Sequence, residues 1–309
     1  MSGVESGRAL SLIVPVFNEE GNVVSLHGEL TRVAHELGGT YEIVFVNDGS
    51  RDGTLTLLRA LQAHDPNLRV VDLDGNFGEA AALSAGFAHA RGTVVVTLDG
   101  DGQNDPADIP RLLARLEPGI DVVSGRRRER KEAFLSRVLP SRVANWLIAR
   151  LTGVPVYDCG CGLKVYRRAV LANTQLPRGM NRFLPAILGV DPERVAEVWV
   201  NDRQRGSGTS HYGFSRTFVV LRDLLAIPLL VRLPERTLER ALGGTQATLA
   251  TLGLASIVAA LGWPSERETA LLAILLAFVG TAVGWSVGRN VNRYRQARAH
   301  GVFRVRTVL

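Results

Sequence analysis

Cysteine and lysine are both scarce in this sequence of 309 residues, which contains two of each. The cysteines, Cys159 and Cys161, are separated by a single residue, a spacing too short for a relaxed disulfide. They also lack the second ligand pair that a zinc site needs. We therefore predict that both pack as free thiols and that the protein works in a reducing compartment.

The charge is unbalanced: the formal net charge is +6 at pH 7, and arginine carries nearly all of the positive charge. A basic chain suits nucleic acid, an anionic membrane surface or a phosphorylated substrate. The sequence has no zinc-finger spacing, no aromatic RNA-binding signature and no basic zipper, so no nucleic-acid partner is expected. A signal peptide is not expected either, because the first apolar run, of about seven residues, ends at Asn18 and Glu19.

What the sequence has in abundance is a regular alternation of apolar strands and amphipathic helices. Strands are predicted at 11–17, 41–47, 68–74 and 93–99, and helices at about 23–37, 54–63 and 79–90. Strands separated by helices in this way predict a mainly parallel α/β sheet with helices on both faces. Ligands bind at the carboxyl ends of such strands. Three acidic or amide clusters lie there: Asn18 with Glu19, Asn47 with Asp48, and Asp99 with Asp101.

The composition changes near residue 215. Residues 218–242 mix apolar runs with four arginines and two prolines, which favours short helices at a membrane interface. Two uncharged segments follow at 247–263 and 269–287. At 1.5 Å per residue each reaches roughly 25 to 28 Å, close to the hydrocarbon thickness of a bilayer. We predict a transmembrane hairpin rather than a buried soluble one.

The orientation follows from the residues that flank the hairpin. Only residues 264–268 join the two spans, so both outer ends lie on the same side of the membrane. The segment after Val287 is rich in arginine, and by the positive-inside rule that side is cytoplasmic. We therefore expect a two-span protein of the cell membrane whose catalytic domain and both termini are cytoplasmic.

The stretch VVVTLDGDGQNDP, residues 94–106, places three aspartates after an apolar strand. An EF-hand is excluded, because the positions that need glycine and glutamate hold Asn104 and Pro110. Asp105 is expected to cap the helix that starts at Pro106. Asp99 and Asp101 form a D-x-D pair, whose hard oxygen ligands suit Mg²⁺ or Mn²⁺ held against a diphosphate.

Eight motifs occur in order between residues 15 and 187. They are PVFNEE (15–20), VNDGSRDGT (46–54), NFGEAAALSAGF (76–87), LDGDGQNDP (98–106), SGRRRERK (124–131), LPSRVANWL (139–147), DCGCGLKVYRR (158–168) and RFLPAI (182–187). Together they resemble the dolichyl-phosphate mannosyltransferase group of inverting family 2 glycosyltransferases, over about residues 10–225. The C-terminal hairpin is similar to that of bacterial relatives that act on undecaprenyl phosphate.

This resemblance implies a GT-A fold and assigns roles to individual residues. For the nucleotide of the donor it implies Pro15, Asn18, Glu19, Asp48 and Asp52, although Asp52 is an equally good helix cap. For the metal, Mg²⁺ or Mn²⁺, it implies Asp99, Asp101 and Gln103. For phosphate near the acceptor it implies Arg126, Arg137 and Ser141, and for a basic loop that closes over the donor it implies Arg205 and Ser210.

The implied activity is inverting transfer of a sugar from a nucleotide sugar of the GDP-mannose or UDP-glucose type to a polyprenyl phosphate. Two alternatives stay open: a non-catalytic membrane-bound sugar-nucleotide sensor and a polysaccharide synthase. The predicted regions are a catalytic domain (1–214), juxtamembrane helices (215–245), two spans (246–288) and a basic cytoplasmic tail (289–309). The sequence does not identify the sugar, the nucleotide or the lipid, and the basic tail is able to contact either lipid headgroups or another subunit.

Overall fold

The structure is a computed structural model that describes residues 9–128, 156–203 and 267–309, together with residues 244, 248, 251, 252 and 254–257. The chain divides into two compact units. The first comprises residues 1–212 and 296–309, and the second comprises residues 213–295. The clusters of polar residues predicted at strand ends belong to the first unit.

A sheet forms the centre of the first unit. Its strands are β1 (Leu10–Val16), β2 (Tyr41–Asn47), β3 (Leu68–Leu73), β4 (Val94–Thr97), β5 (Val122–Arg127), β6 (Lys164–Arg167), β7 (Val195–Val200) and β8 (Val305–Val308). Their order across the sheet is β7-β5-β6-β4-β1-β2-β3-β8. The strands β6 and β8 run antiparallel to their neighbours, and the other pairs are parallel. The mainly parallel α/β sheet predicted from the alternation is confirmed.

The helices of the described residues are α1 (Val23–Leu37), α2 (Thr54–Gln62), α3 (Glu79–His89), α4 (Ile109–Arg115), α5 (Leu184–Ile187) and α6 (Arg267–His300). The first three begin at the residues predicted from the apolar periodicity. In α1 the spacing of Val23, Leu26, Leu30 and Val33 places all four on one buried face. Helix α3 is buried almost along its whole length and packs on β1, β2 and β3.

The strand bounds agree closely with the predicted ones, except that β4 ends earlier. It ends at Thr97, two residues before the predicted end. The reason is local: the Asp99 N–H donates to the Asn104 side chain, at 2.9 Å, rather than to a neighbouring strand. The chain therefore leaves the sheet just before the D-x-D pair, which places both carboxylates at the edge where parallel strands end.

The second unit contains most of helix α6. The segment Leu271–Ala297 has a mean hydropathy of 2.0 over its most apolar window and is, among the described residues, the one helix long and apolar enough to cross a membrane. Its large apolar side chains are exposed, including Leu271, Leu275 and Phe278. The first predicted span, at 247–263, lies largely outside the described residues, as do the juxtamembrane helices, so the hairpin stays a prediction.

The C-terminal residues form a strand that was not predicted. Residues 289–309 were expected to be a basic tail, but Val305–Val308 pairs antiparallel with β3 as the edge strand β8. The alternation of Arg304, Val305, Arg306, Thr307 and Val308 is too short and too basic to stand out from its surroundings in the sequence. The end of the chain is thereby part of the first unit.

Candidate active site

The D-x-D pair lies in a tight loop directly after β4. The backbone of this loop folds back on itself, because Asn104 Oδ1 accepts from the Asp99 N–H and Asp101 Oδ1 accepts from the Gln103 N–H, at 2.9 and 3.1 Å. Asp101 is 8% exposed and Asp99 is partly buried. The loop thus brings Asp99, Asp101 and the backbone of Gln103 together, and the role of all three as metal ligands stays a prediction.

Without a bound cation, the surroundings of this loop disfavour the ionised form of Asp99. Burial and the nearby carboxylates of Glu79 and Asp101 raise the pKa of Asp99 to about 8, although Lys164 and Arg127 act in the opposite direction. Glu79 is the first residue of α3, so its carboxylate faces the loop from a different element. A divalent cation would relieve this concentration of negative charge.

The segment before β6 forms a wall beside Asp99. Gly162 lies so close that a Cβ there would collide with the Asp99 carboxylate group. The Gly162 carbonyl in turn accepts from Thr97 Oγ1 at 2.9 Å, which ties the wall to β4. Only glycine fits at residue 162 without displacing Asp99, which gives this glycine a steric role in the site.

Both cysteines are buried in the same segment as free thiols, which confirms the packing role predicted for them. Burial raises the pKa of each thiol to about 12, so both stay neutral. The buried Lys164 ammonium donates to the carbonyl oxygens of Cys159 and Cys161 and thereby ties the segment to β6. Lys164 is a cation near Asp99 to which the sequence analysis assigned no role.

Strand β5 presents two consecutive arginines to opposite faces of the sheet, because side chains alternate along a strand. Arg127 binds Asp158 in a bidentate pair, with Nε to Oδ2 at 2.8 Å and Nη2 to Oδ1 at 3.1 Å. The positive charge of Arg127 acts to lower the pKa of Asp99. Arg126 was predicted from the sequence as a phosphate ligand, whereas Arg127 was not. The position of an arginine along β5 does not by itself predict which face of the sheet binds a ligand.

Arg126 is held between two aromatic rings. Its guanidinium carbon lies 4.6 Å from the centroid of the Tyr157 ring and 4.2 Å from that of Trp199. Both rings are exposed, at 64% and 45%. Glu197 approaches the same group and accepts from the Tyr157 N–H at 2.7 Å. Stacking between two rings orients the guanidinium plane while leaving its edge N–H groups for a ligand.

The predicted nucleotide residues at the end of β1 hold the loop that follows β2. Asn18 has a positive φ of 57°. Its side chain accepts from the Arg51 N–H at 2.8 Å, and its own N–H donates to Ser50 Oγ at 3.0 Å. Glu19 Oε2 accepts from Asn22 Nδ2 at 2.6 Å. Asn18 thus lies against residues 50 and 51, and the Glu19 N–H donates to Thr54 Oγ1 at 2.8 Å, so the first two motifs form one surface.

Asp52 ties the start of α2 to the first motif. Its carboxylate accepts from the N–H and hydroxyl of Thr54, at 3.1 and 2.6 Å, and from the Glu20 N–H at 3.2 Å. Although burial acts in the opposite direction, these hydrogen bonds lower the pKa of Asp52. The residue at the helix cap is Gly53, so Asp52 supports the helix start from one position earlier.

Asp48 is committed to the loop before α3. Its carboxylate accepts from the N–H groups of Phe77 and Gly78 at 2.7 and 2.8 Å. It is 3% exposed, and burial raises its pKa despite these hydrogen bonds. Pro15 is buried in β1, and a Cβ at Gly100 would lie 2.9 Å from the Pro15 carbonyl oxygen. The ends of β1, β2 and β4 therefore meet at one edge.

The loop that follows the D-x-D pair is hydrogen-bonded to Arg203, three residues after the end of β7. The Arg203 N–H donates to the Gln103 carbonyl at 2.9 Å, and its guanidinium binds Glu29 and Asp105 at 2.7 and 2.6 Å. Asp105 also accepts from the Ala107 N–H at 2.9 Å, which confirms its predicted capping role. The cap begins a short 3₁₀ turn that precedes α4. Arg203 was not predicted.

Four predicted residues, Arg137, Ser141, Arg205 and Ser210, lie outside the described residues. Within the described ones there is no group of three His, Cys, Asp or Glu side chains placed to hold a metal. A cation bound by Asp99 and Asp101 would thus take its other ligands from water, amide oxygen or substrate, which is the usual coordination of Mg²⁺ in proteins.

Known proteins resemble this sequence over most of its length. A model for glycosyl transferase family 2 matches residues 11–174. Dodecaprenyl-phosphate galacturonate synthase of Rhizobium johnstonii is 42% identical over 231 residues, which cover 74% of this chain and 68% of that protein. Undecaprenyl-phosphate 4-deoxy-4-formamido-L-arabinose transferase of Shewanella sediminis is 34% identical over 309 residues, with 97% and 92% covered.

Solved structures support the fold. Glucosyl-3-phosphoglycerate synthase from Mycobacterium tuberculosis, in complex with Mn²⁺, uridine diphosphate and glucosyl-3-phosphoglycerate, superposes with a TM-score of 0.56 at 22% identity. The match covers 74% of this chain and 82% of that one. The predicted GT-A-like α/β fold is thereby confirmed, and the part of the chain that the structure describes contains one candidate membrane helix, at the C-terminal side.

Proposed function

The chain belongs to glycosyl transferase family 2, and on that premise we propose that it transfers a sugar from a nucleotide-sugar donor to a polyprenyl phosphate, with inversion at the anomeric carbon. Two relatives more than 30% identical carry names that specify dodecaprenyl and undecaprenyl phosphate. The observation in the molecule that carries the proposal is the pair Asp99 and Asp101, held together at the sheet edge where the first two motifs also end.

A divalent cation, Mg²⁺ or Mn²⁺, fits the donor set. Asp99 and Asp101 supply hard oxygen atoms, and the raised pKa of Asp99 shows that burial and the neighbouring carboxylates disfavour its ionised form, which a bound cation would stabilise. When bound, the ion would neutralise charge on the leaving diphosphate. The loop that carries Gln103 is held against Arg203, and Gly162 keeps Asp99 in place from the other side.

The charges of the two substrates set the main task for the side chains. Two unit charges about 4 Å apart repel by roughly 4 kcal/mol at an effective dielectric of 20, so an acceptor phosphate approaches a nucleotide diphosphate only where cations intervene. We assign the acceptor phosphate to Arg126, whose guanidinium is oriented by Tyr157 and Trp199. We further assign it to Arg137 and Ser141, and we assign the departing diphosphate to Arg205 and Ser210.

The reaction is a direct in-line displacement. An oxygen of the acceptor phosphate forms a bond to the anomeric carbon as the bond from that carbon to the nucleotide diphosphate breaks. A phosphate monoester has a second pKa near 6, so it is largely dianionic at neutral pH and needs no general base. The residues of the protein orient the two substrates and stabilise the departing charge.

The nucleotide is assigned to the surface formed by the first two motifs. Asn18 and Glu19 lie against the loop after β2, and Asp48 and Asp52 fix the two helix starts beside it. Buried Pro15 supports this surface from β1. Backbone and carboxylate oxygens there are acceptors for base N–H and ribose hydroxyl groups.

The membrane arrangement belongs to the same proposal. We propose two spans, with the first at 247–263 and the second inside α6, and a catalytic domain and both chain ends on the cytoplasmic side. The exposed apolar side chains of α6 support contact with lipid. A lipid acceptor and a nucleotide sugar from the cytoplasm then meet at the membrane surface. Self-association through the basic C-terminal residues is open to test.

The experiment is a transfer assay on the full chain in bilayer nanodiscs with undecaprenyl phosphate. A panel of labelled GDP- and UDP-sugars is offered with Mg²⁺ or Mn²⁺, and the products are partitioned into organic solvent. We expect one donor class to yield an organic-soluble, mild-acid-labile product. Polymer formation would favour the polysaccharide synthase instead, and nucleotide binding without any product would favour the sensor.

A further inference from the structure

The C-terminal strand β8 reaches the predicted donor site through a chain of polar contacts. Strand β8 pairs with β3 in the register Val71 to Val308 and Asp72 to Thr307. The last residue, Leu309, completes the pairing by exchanging N–H···O bonds with Val70 at 2.9 and 3.2 Å. This pairing places the Arg306 side chain beside Asp72.

Asp72 is a fully buried carboxylate with two partners on opposite sides. Arg306 Nη1 donates to Asp72 Oδ2 at 3.1 Å. Asn47 Nδ2 donates to Asp72 Oδ1 at 2.7 Å. Asp72 is 0% exposed and Asn47 is 1% exposed, so the carboxylate and the amide are shielded from water, whereas the Arg306 side chain reaches the carboxylate from the surface and is 55% exposed. A buried carboxylate depends on its cation and its hydrogen-bond donors to offset the cost of removing it from water.

Asn47 connects Asp72 to the loop after β2. An ionised carboxylate only accepts hydrogen bonds, so Asp72 fixes the amide of Asn47 with its Nδ2 toward Asp72. Asn47 Oδ1 is then directed at the Ser50 N–H, at 3.3 Å. Ser50 Oγ accepts from the Asn18 N–H at 3.0 Å. The contacts thus run from Arg306 through Asp72 and Asn47 to Ser50 and Asn18.

We propose that Arg306 is a positioning residue for the nucleotide-sugar donor, acting through Asp72 and Asn47 on the loop of residues 47–50. This inference rests on the proposed function, because it takes that loop to bind the nucleotide. Without the arginine, Asp72 is a buried carboxylate without its cation. The Asp72 carboxylate then loses the charge-assisted hydrogen bond that fixes it, and the Asn47 amide loses the partner that holds its orientation.

The residue just before β8 supplies a matched control. Arg304 also belongs to the C-terminal segment and also faces an aspartate, with its Nε 3.4 Å from Asp74 Oδ2. That pair is open to solvent, because the Arg304 side chain is 78% exposed. An exposed pair contributes little, and Asp74 is satisfied by water when the arginine is lost. R304M and R306M therefore make the same change of charge and shape in two environments.

The test measures substrate affinities separately for the donor and the acceptor. The full chain in nanodiscs, with Mn²⁺, is titrated with GDP and UDP by calorimetry, and KM is measured for the nucleotide sugar and for undecaprenyl phosphate. We expect R306M to weaken nucleotide binding and raise the donor KM by about tenfold, the lower end of the range found when a residue that orients a ligand-binding group loses its partner. The acceptor KM should stay within about twofold, and R304M should match the wild type.

Two further variants separate positioning from general support of the sheet. Arg306→Lys keeps the charge and should recover most of the nucleotide affinity. In the double variant D72N/R306M the buried charge is gone while an acceptor oxygen stays available for Asn47. We expect its donor KM to lie closer to the wild-type value than that of R306M does.

Three results would overturn the role of Arg306. These are equal nucleotide affinity in R306M and R304M, a parallel rise of both KM values in R306M, and a double variant no better than R306M. A wild-type chain that binds nucleotide but transfers no sugar would instead overturn the proposed function, because the binding measurement does not depend on transfer.

Discussion

Two acidic clusters at the same edge of the sheet differ in what their carboxylates bind. At the end of β2, Asp48 and Asp52 accept hydrogen bonds from the backbone N–H groups of Phe77, Gly78 and Thr54. At the end of β4, Asp99 faces the carboxylates of Glu79 and Asp101. The first cluster holds loops together, and the second concentrates negative charge.

This difference separates two uses of aspartate that look alike in the sequence. A carboxylate that receives several N–H donors stabilises the local fold and is costly to remove. A carboxylate packed against others destabilises the folded protein until a cation binds. The variants below are therefore expected to have opposite effects on transfer and on stability in the two clusters.

The largest effect is expected for Asp101→Ala at the end of β4. Loss of a metal ligand removes charge stabilisation of the departing diphosphate, so kcat for sugar transfer should fall by about 10³-fold or more. The thermal transition in EDTA should change little, because relief of the repulsion with Asp99 offsets the loss of the acceptor for the Gln103 N–H. Full activity in this variant, at matched protein amounts, would show that Asp101 holds no essential cation.

A smaller effect, of the opposite kind, is expected for Asp48→Ala at the end of β2. The Phe77 and Gly78 N–H groups would lose their acceptor, and each partly buried donor left unsatisfied costs about 1 kcal/mol or more. The midpoint of thermal unfolding in EDTA should fall by about 5 °C. Asp48→Asn, which keeps one acceptor oxygen, is the control and should lie in between. An unchanged midpoint in Asp48→Ala would remove the distinction between the clusters.

The elements that the sequence predicts well are those with a strong period. Strands β1 to β3 and helices α1 to α3 agree closely with their predicted bounds, because their apolar residues recur at two or 3.6 residues and become the core. Strand β8 was missed, because its side chains are largely exposed and its partner β3 is more than 230 residues away in the sequence. Periodicity contains no information on such a distant pairing.

The residues of the candidate site also divide into those that the sequence predicts and those that it does not. The D-x-D pair was predicted because two carboxylates at a strand end need an explanation other than packing. Arg127 and Lys164 were missed, because their nearness to Asp99 depends on which strands are neighbours in space. The order in which β6 lies between β4 and β5 brings these cations to the site. That order is a property of the tertiary fold, and the motif alone does not contain it.

The last prediction concerns Asp99→Asn, whose effect on stability depends on pH. The pKa of Asp99 is about 8 in the folded protein and near 3.8 in an exposed reference state. Between these values the folded protein binds more protons at this group than the unfolded chain does, so the unfolding free energy of the metal-free wild type falls as pH rises from about 4 to 8. The asparagine side chain of the variant does not titrate, so the variant should lack this contribution.

In EDTA the variant and the wild type should melt together near pH 4, and the variant should melt at an increasingly higher temperature than the wild type as the pH rises toward 8. Added Mn²⁺ should reverse the order at pH 8, because only the wild type has the second carboxylate for the ion. A difference in melting temperature that is constant with pH would mean that cations of the protein already neutralise the Asp99 carboxylate. The contrast with the β2 cluster would then depend on Asp101 alone.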